Sequence, residues 1–182
     1  SERERLERLV REAAKELKRL LEELERLHKK IDEDLKRSND RLRELHERIK
    51  KDIERLLRRI GDDEKLERLR RIAEEVKKRS RESLEEHRKR NEDSKRRSRK
   101  SLEDVERTMR EVRRRIEDLL RKGGDRVEEI LKEIEDILRK VKEDVKRVLD
   151  ENRRVLEENK EHAERILREN KRMLEELRRE AK

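Results

Sequence analysis

Residues 84–102 read LEEHRKRNEDSKRRSRKSL, with no apolar side chain between Leu84 and Leu102. A solvated segment would scatter its neutral polar residues among the charges. Here His87, Asn91, Ser94, Ser98 and Ser101 recur in alternating steps of four and three, the spacing of one helix face. Leu69, Ala73 and Leu84 precede them in the same phase, and Leu102, Val105 and Met109 follow. The inward stripe therefore continues while its chemistry changes from apolar to polar. Because the phase is never lost, the stretch reads as a polar core and not as a frayed, solvated segment.

The same selectivity governs the whole chain. It has seven Ser, five Asn and four His among 182 residues, of which 61% are charged. Six of the Ser (Ser38, Ser80, Ser83, Ser94, Ser98, Ser101) and all five Asn (Asn39, Asn91, Asn152, Asn159, Asn170) fall on the stripe that otherwise carries Leu, Ile and Val. His28, His46 and His87 lie on it too, with His162 near its edge. A buried polar group without a partner is costly, so this placement implies hydrogen-bond networks between helices.

Composition alone would suit a disordered chain, being rich in charge with 28% apolar residues and no aromatics. Periodicity decides for long helices. In the first, Leu6, Leu24, Leu42 and Ile60 are spaced by 18 residues, as are Leu17, Leu35 and Ile53. The second repeats Leu66, Leu84, Leu102 and Leu120 at that step, and the third Ile130, Val148 and Ile166. Eighteen residues make five turns at about 3.6 per turn, so the stripe does not drift and no supercoil is imposed.

Glycine marks the breaks: Gly61 before Asp62 and Asp63, and Gly123-Gly124 before Asp125. Glycine ends a helix cheaply in the left-handed region, and Asp caps the next one. Ser1 with Glu4 and Asp125 with Glu128 resemble capping boxes. Proline is absent. The expected architecture is all-α: one domain over 1–182, a straight antiparallel up-down-up three-helix bundle with helices at about 2–60, 63–121 and 126–181. Each helix would run roughly 85 Å. An apolar arc of roughly 120° suffices for two neighbours, which favours a monomer. A homo-oligomer or an added fourth helix is the alternative.

Short turns also set the heights at which residues meet. The first turn implies index sums near 123 between helices 1 and 2, and the second implies sums near 247 between helices 2 and 3. His28, Ser98 and Asn152 then share a level, and His46, Ser80 and Asn170 repeat it one 18-residue step away. Asn39, His87, Asn91 and Asn159 form a third layer between them, and Ser38, Ser83 and Ser94 could join neighbouring layers. Imidazole, amide and hydroxyl groups can each donate and accept, so such sets can satisfy one another.

Other chemistries are poorly supported. Ser98 beside His28 could begin a nucleophile–base pair, but no oxyanion hole, strained turn or cleft accompanies it. Metal binding needs three or four converging ligands, and the layers offer one His each, so no cofactor is expected. His87 and Asn91, one turn apart, are the least unfavourable pair. Without Cys there is no disulfide or thiolate chemistry. Lys95-Arg96-Arg97-Ser98-Arg99-Lys100 sits within a stretch carrying most of the net charge of +9, yet no aromatic is present for base stacking. Salt-sensitive adhesion to polyanions is expected there, but no specific nucleic-acid or membrane partner. The chain opens on Ser1 and shows no targeting signal, consistent with a trimmed product of recombinant cytoplasmic expression.

Strict 18-residue repeats, Gly/Asp loops, Glu/Arg/Lys surfaces and repeated His–Ser–Asn layers together resemble de novo designed parametric helical bundles with buried hydrogen-bond networks. The resemblance covers the whole chain. Natural spectrin-like three-helix repeats are usually heptad-based and carry core aromatics, which this chain lacks. The resemblance implies a stable scaffold without a natural substrate and without catalysis. The alternative function is a pH-responsive or helix-binding designed module that uses the polar seam of helix 2.

Overall fold

The computed structural model describes residues 1–122 and 126–182. Gly123, Gly124 and Asp125 lie outside the described residues, and with them the expected second loop and the Asp125 cap. Three helices account for nearly everything else: α1 (Glu2–Arg58), α2 (Asp63–Arg121) and α3 (Val127–Ala181). The fold is a three-helix bundle.

The helix starts follow from capping. The Glu4 amide donates to Ser1 Oγ at 3.3 Å, and the N-terminal ammonium returns to Glu4 Oε2 at 3.5 Å. Asp62 Oδ1 accepts from the Glu64 amide at 3.2 Å, and its carbonyl takes the first helical bond from Leu66 at 2.9 Å. These bonds satisfy donors that the helix itself cannot. Acidic side chains open each helix (Glu2 and Glu4, Asp63 and Glu64, Glu128 and Glu129), and arginines close each one, complementing the macrodipole.

The end of α1 differs from expectation. The helix stops at Arg58, two residues early, because the final turn tightens: Arg59 donates to the Leu56 carbonyl at 3.2 Å and Ile60 to that of Leu57 at 3.3 Å. Such i→i+3 closure satisfies carbonyls left over at a helix end. Gly61 follows without adopting a left-handed φ, so the anticipated glycine cap is absent there, and an added Cβ would meet nothing within 4 Å.

Contacts group the described residues into two compact units. The first comprises Ser1–Ile31 and Arg96–Arg154. Its core gathers Leu24, Val105, Ile134, Val145 and Leu149, with Leu17, Leu20 and Met109 packed against them. Salt bridges from Glu16 to Lys142 at 2.6 Å and from Glu23 to Arg153 at 2.8 Å show α1 and α3 running parallel in this unit. The second comprises Asp32–Lys95 and Val155–Lys182. Ile49, Ile53, Leu69, Ala73 and Leu177 form its core. Here Ser38 meets His87 and His46 meets Ser80, so α1 and α2 run antiparallel. In each unit the stripes face inward, and no large apolar side chain is exposed among the described residues.

Since Gly61 is neither crowded nor left-handed, its flexibility mainly enlarges the unfolded ensemble. Gly61→Ala is expected to stabilise the chain by about 0.5–1 kcal/mol. Chemical denaturation would register this as a higher midpoint at unchanged slope, whereas destabilisation would mean that the turn needs glycine.

Candidate functional site: a polar core layer

The segment that decided the fold supplies the most chemically distinctive part of the structure. In the second unit, α2 turns His87, Asn91 and Ser94 inward, and His87 and Asn91 are both 0% exposed. Each bonds to a neighbouring element. Ser38 Oγ of α1 pairs with His87 Nε2. On its other side, His87 Nδ1 pairs with His162 Nδ1 of α3 at 2.9 Å. Asn91 Nδ2 donates to Asn39 Oδ1 at 2.8 Å and to the Leu35 carbonyl at 3.3 Å. Asn159 Nδ2 donates to Ser94 Oγ at 2.7 Å, Ser94 donates to the Arg90 carbonyl at 3.0 Å, and Arg90 Nε returns to Asn159 Oδ1 at 3.1 Å.

The two imidazoles meet edge to edge. Their planes differ by 13° and their centroids lie 5.2 Å apart. A ring nitrogen sits about 1.1 Å from the centre of a ring with bonds of about 1.33 Å. The 2.9 Å contact plus two such radii accounts for nearly the whole centroid separation, so the rings are in line and nearly coplanar. One Nδ1 must carry the hydrogen and the other must accept it. A single added proton preserves this N–H···N bond, because a protonated ring can still donate to a neutral one. A second proton places two N–H groups head to head and two positive charges in contact.

Electrostatics disfavour even the first proton. Burial lowers His87 from 6.5 to about 4, helped by His162 and Arg90. His162 is lowered by burial and then by Arg90 and Arg165, against the opposing influence of Glu86 and Glu169. His46 is lowered by burial, then by Lys50 and Arg81, against Glu47.

The remaining polar stripe residues divide between the units. In the first, His28 Nδ1 pairs with Ser98 Oγ at 2.6 Å, and Ser98 is 1% exposed. Asn152 of α3 is also buried, but its Nδ2 has no partner among the described residues. In the second, His46 Nδ1 pairs with Ser80 Oγ at 2.9 Å, while buried Asn170 leaves Oδ1 without one. Ser83 and Ser101 are half-buried, and no side-chain hydrogen bond to either is found among the described residues. The four residues Asn39, His87, Asn91 and Asn159 do not close into a single layer. They form three separate links, through Ser38 and His162, through Asn39 and Asn91, and through Ser94 and Arg90.

Two participants do not stand out on the sequence stripe: His162, which lies near its edge, and Arg90, which reaches Asn159. A signal for His162 was present. Its index and that of His87 add to 249, close to the sum expected for helices 2 and 3 at one height.

Among the described residues, no three His, Cys, Asp or Glu side chains converge as metal ligands, and no helix is long and apolar enough to cross a membrane. The chain matches no protein-family model. No curated protein is similar to it in sequence. One solved structure, described as a computationally designed three helix bundle, is similar at 20% identity and a TM-score of 0.41, over 99% of this chain and 93% of that one.

The histidines impose a definite pH dependence. In the unfolded chain they titrate near 6.5, while folded His87 resists protonation until about 4. Between those values the unfolded state takes up a proton that the folded state refuses, so stability falls as pH falls. Above 6.5 it is flat, and below about 4 this contribution is exhausted. At about 1.36 kcal/mol per pKa unit, His87 alone removes at most about 3 kcal/mol. Urea denaturation at pH 7.5, 5.5 and 4.5 should show a progressive loss that His87→Asn reduces. An unchanged midpoint across the series would show the imidazoles to be solvated.

Proposed function

We propose that this chain is a designed structural scaffold whose polar core layers specify the register of its helices and which performs no catalysis. The observation that carries the reading is the coincidence of phase and bonding in α2. Residues at core spacing between Leu84 and Leu102 bond across to α1 and α3 in the second unit, and Ser98 bonds to His28 in the first. Polar groups at such positions penalise slipped or swapped arrangements, because any shift leaves a desolvated donor or acceptor unpaired. The 18-residue repetition and near-total segregation of charge support a designed origin.

Catalysis fits the geometry poorly. Ser98 and His28 are hydrogen-bonded, but with Ser98 1% exposed a substrate carbonyl has no approach to its hydroxyl. The reading takes residues 1–182 as one domain and the chain as a monomer that requires no cofactor or partner. Each helix passes from one compact unit into the other without a break.

The test compares the chain with a variant carrying Ser38→Val, Asn39→Leu, His87→Leu, Asn91→Leu, Ser94→Val, Asn159→Leu and His162→Leu. The parent is expected to elute with the mass of one chain and to unfold in one transition at pH 7.5. The apolar variant should be more stable but should populate several oligomers or registers. A variant equally monomeric and equally well ordered would show that the layers specify nothing.

A second reading is favoured by the edge-to-edge imidazoles: the bundle loosens in acid because the His87–His162 link tolerates one proton but not two. The groups around the pair are Ser38 from α1, Arg90 and Glu86 from α2, and Arg165 and Glu169 from α3. The cations among them work with burial against protonation, and the two glutamates oppose it. The denaturation series at falling pH decides between a passive layer and a responsive one.

A further inference from the structure

The first compact unit holds a half-open apolar groove of about 770 Å³ that the polar layers do not involve. Its walls are two matched ladders. Val10, Leu17 and Leu21 line it from α1, and Met109, Ile116 and Leu120 from α2. All six are apolar, and all but Ile116 are only half-buried. Ala13, Val112 and Leu138 form the floor. Small side chains at Ala13, Ala14 and Val112 leave the space unfilled. Each ladder spans eleven helical steps, about 17 Å at 1.5 Å per residue. With Ala13 and Val112 included, both walls present the i, i+3, i+7, i+11 spacing that receives another helix.

The rim is charged in one sense. Arg11, Lys15, Lys18, Arg110 and Arg113 border the groove against Glu106 and Glu117. None of those five cations makes an ion pair or side-chain hydrogen bond with another described residue. Five cations against two glutamates leave the rim with about three net positive charges. Unpaired cations along both edges of an apolar trough need distributed negative charge.

We propose that the groove between α1 and α2 in the first unit docks one amphipathic helix with an apolar face of about three turns and acidic residues along both flanks. A partner helix matches the ladder spacing and spreads its carboxylates along the rim. A fatty-acid anion would fill the trough but offer a single carboxylate to five cations. Docking here uses an apolar groove and is separate from the register role of the polar layers, so either can fail alone.

The probe is a fluorescein-labelled peptide of about 18 residues, helix-forming, with Leu at its a and d positions and Glu on both flanks. Its charge-swapped Lys counterpart is the control. Fluorescence anisotropy with the full chain should give one site, with the Glu peptide bound at least about tenfold more tightly than the Lys peptide. Ala14→Trp, at an exposed position on the rim, should plug the trough and weaken binding at least about tenfold without changing helicity. The triple substitution Lys15→Glu, Lys18→Glu, Arg110→Glu should reverse the preference for the two peptides. Lys95→Glu with Lys100→Glu, in the most basic stretch, should leave it intact. The proposal is overturned if Ala14→Trp binds like the parent, since adhesion would then be general to a chain of net charge +9. It is overturned equally if dodecanoate saturates the groove while the peptide does not bind, or if the free chain dimerises and Ala14→Trp restores the monomer.

Discussion

A side-chain amide or imidazole withdrawn from water must find a hydrogen-bond partner, and that constraint organises this chain. His87 shows it most clearly. Fully buried on α2, it is bonded at both ring nitrogens, to Ser38 on one helix and His162 on another. Each bond fixes a relative height and a rotation. A slide of one residue turns a helical side chain by about 100°, which is enough to break both links. Leucines in the same positions would bury more surface but would tolerate neighbouring registers.

The layers do not have to supply the stability. Apolar clusters around Leu24, Ile134 and Val145 in one unit, and around Ile53, Leu69 and Leu177 in the other, bury the surface that drives association. The exposed charges add little. Most ion pairs, such as Asp136 with Arg139, join exposed residues three apart, where solvent screens them. The rim of the α1–α2 groove carries five cations against two glutamates.

Helix number and extent were legible because two independent signals agreed: a phase sustained for about sixteen turns per helix and three glycines that interrupt it. What escaped was local. α1 ends at Arg58 because its last carbonyls close i→i+3 bonds, which depends on geometry that no residue type announces. Heights were legible where a bond joins α1 to α2, His28 to Ser98 and His46 to Ser80, since index sums follow from turn length. Bonding within a height was not. Asn152 and Asn170 are buried, yet no bond joins either asparagine to the serine expected at its level among the described residues. Level fixes position along the axis, whereas bonding also requires the side chains to point toward each other around it. His162 was missed for the opposite reason: it lies at the edge of the stripe, but a long imidazole reaches inward from there.

Everything rests on residues 84–102 being helical with their neutral polar side chains turned away from water. Hydrogen exchange at pH 7.5 measures this segment by segment. The backbone amides of residues 87–101 should be protected to a degree comparable with residues 69–76 and 105–116, whose inward positions are apolar. Exchange of residues 87–101 at the rate of an unstructured peptide, with protection confined to the apolar segments, would contradict the polar core.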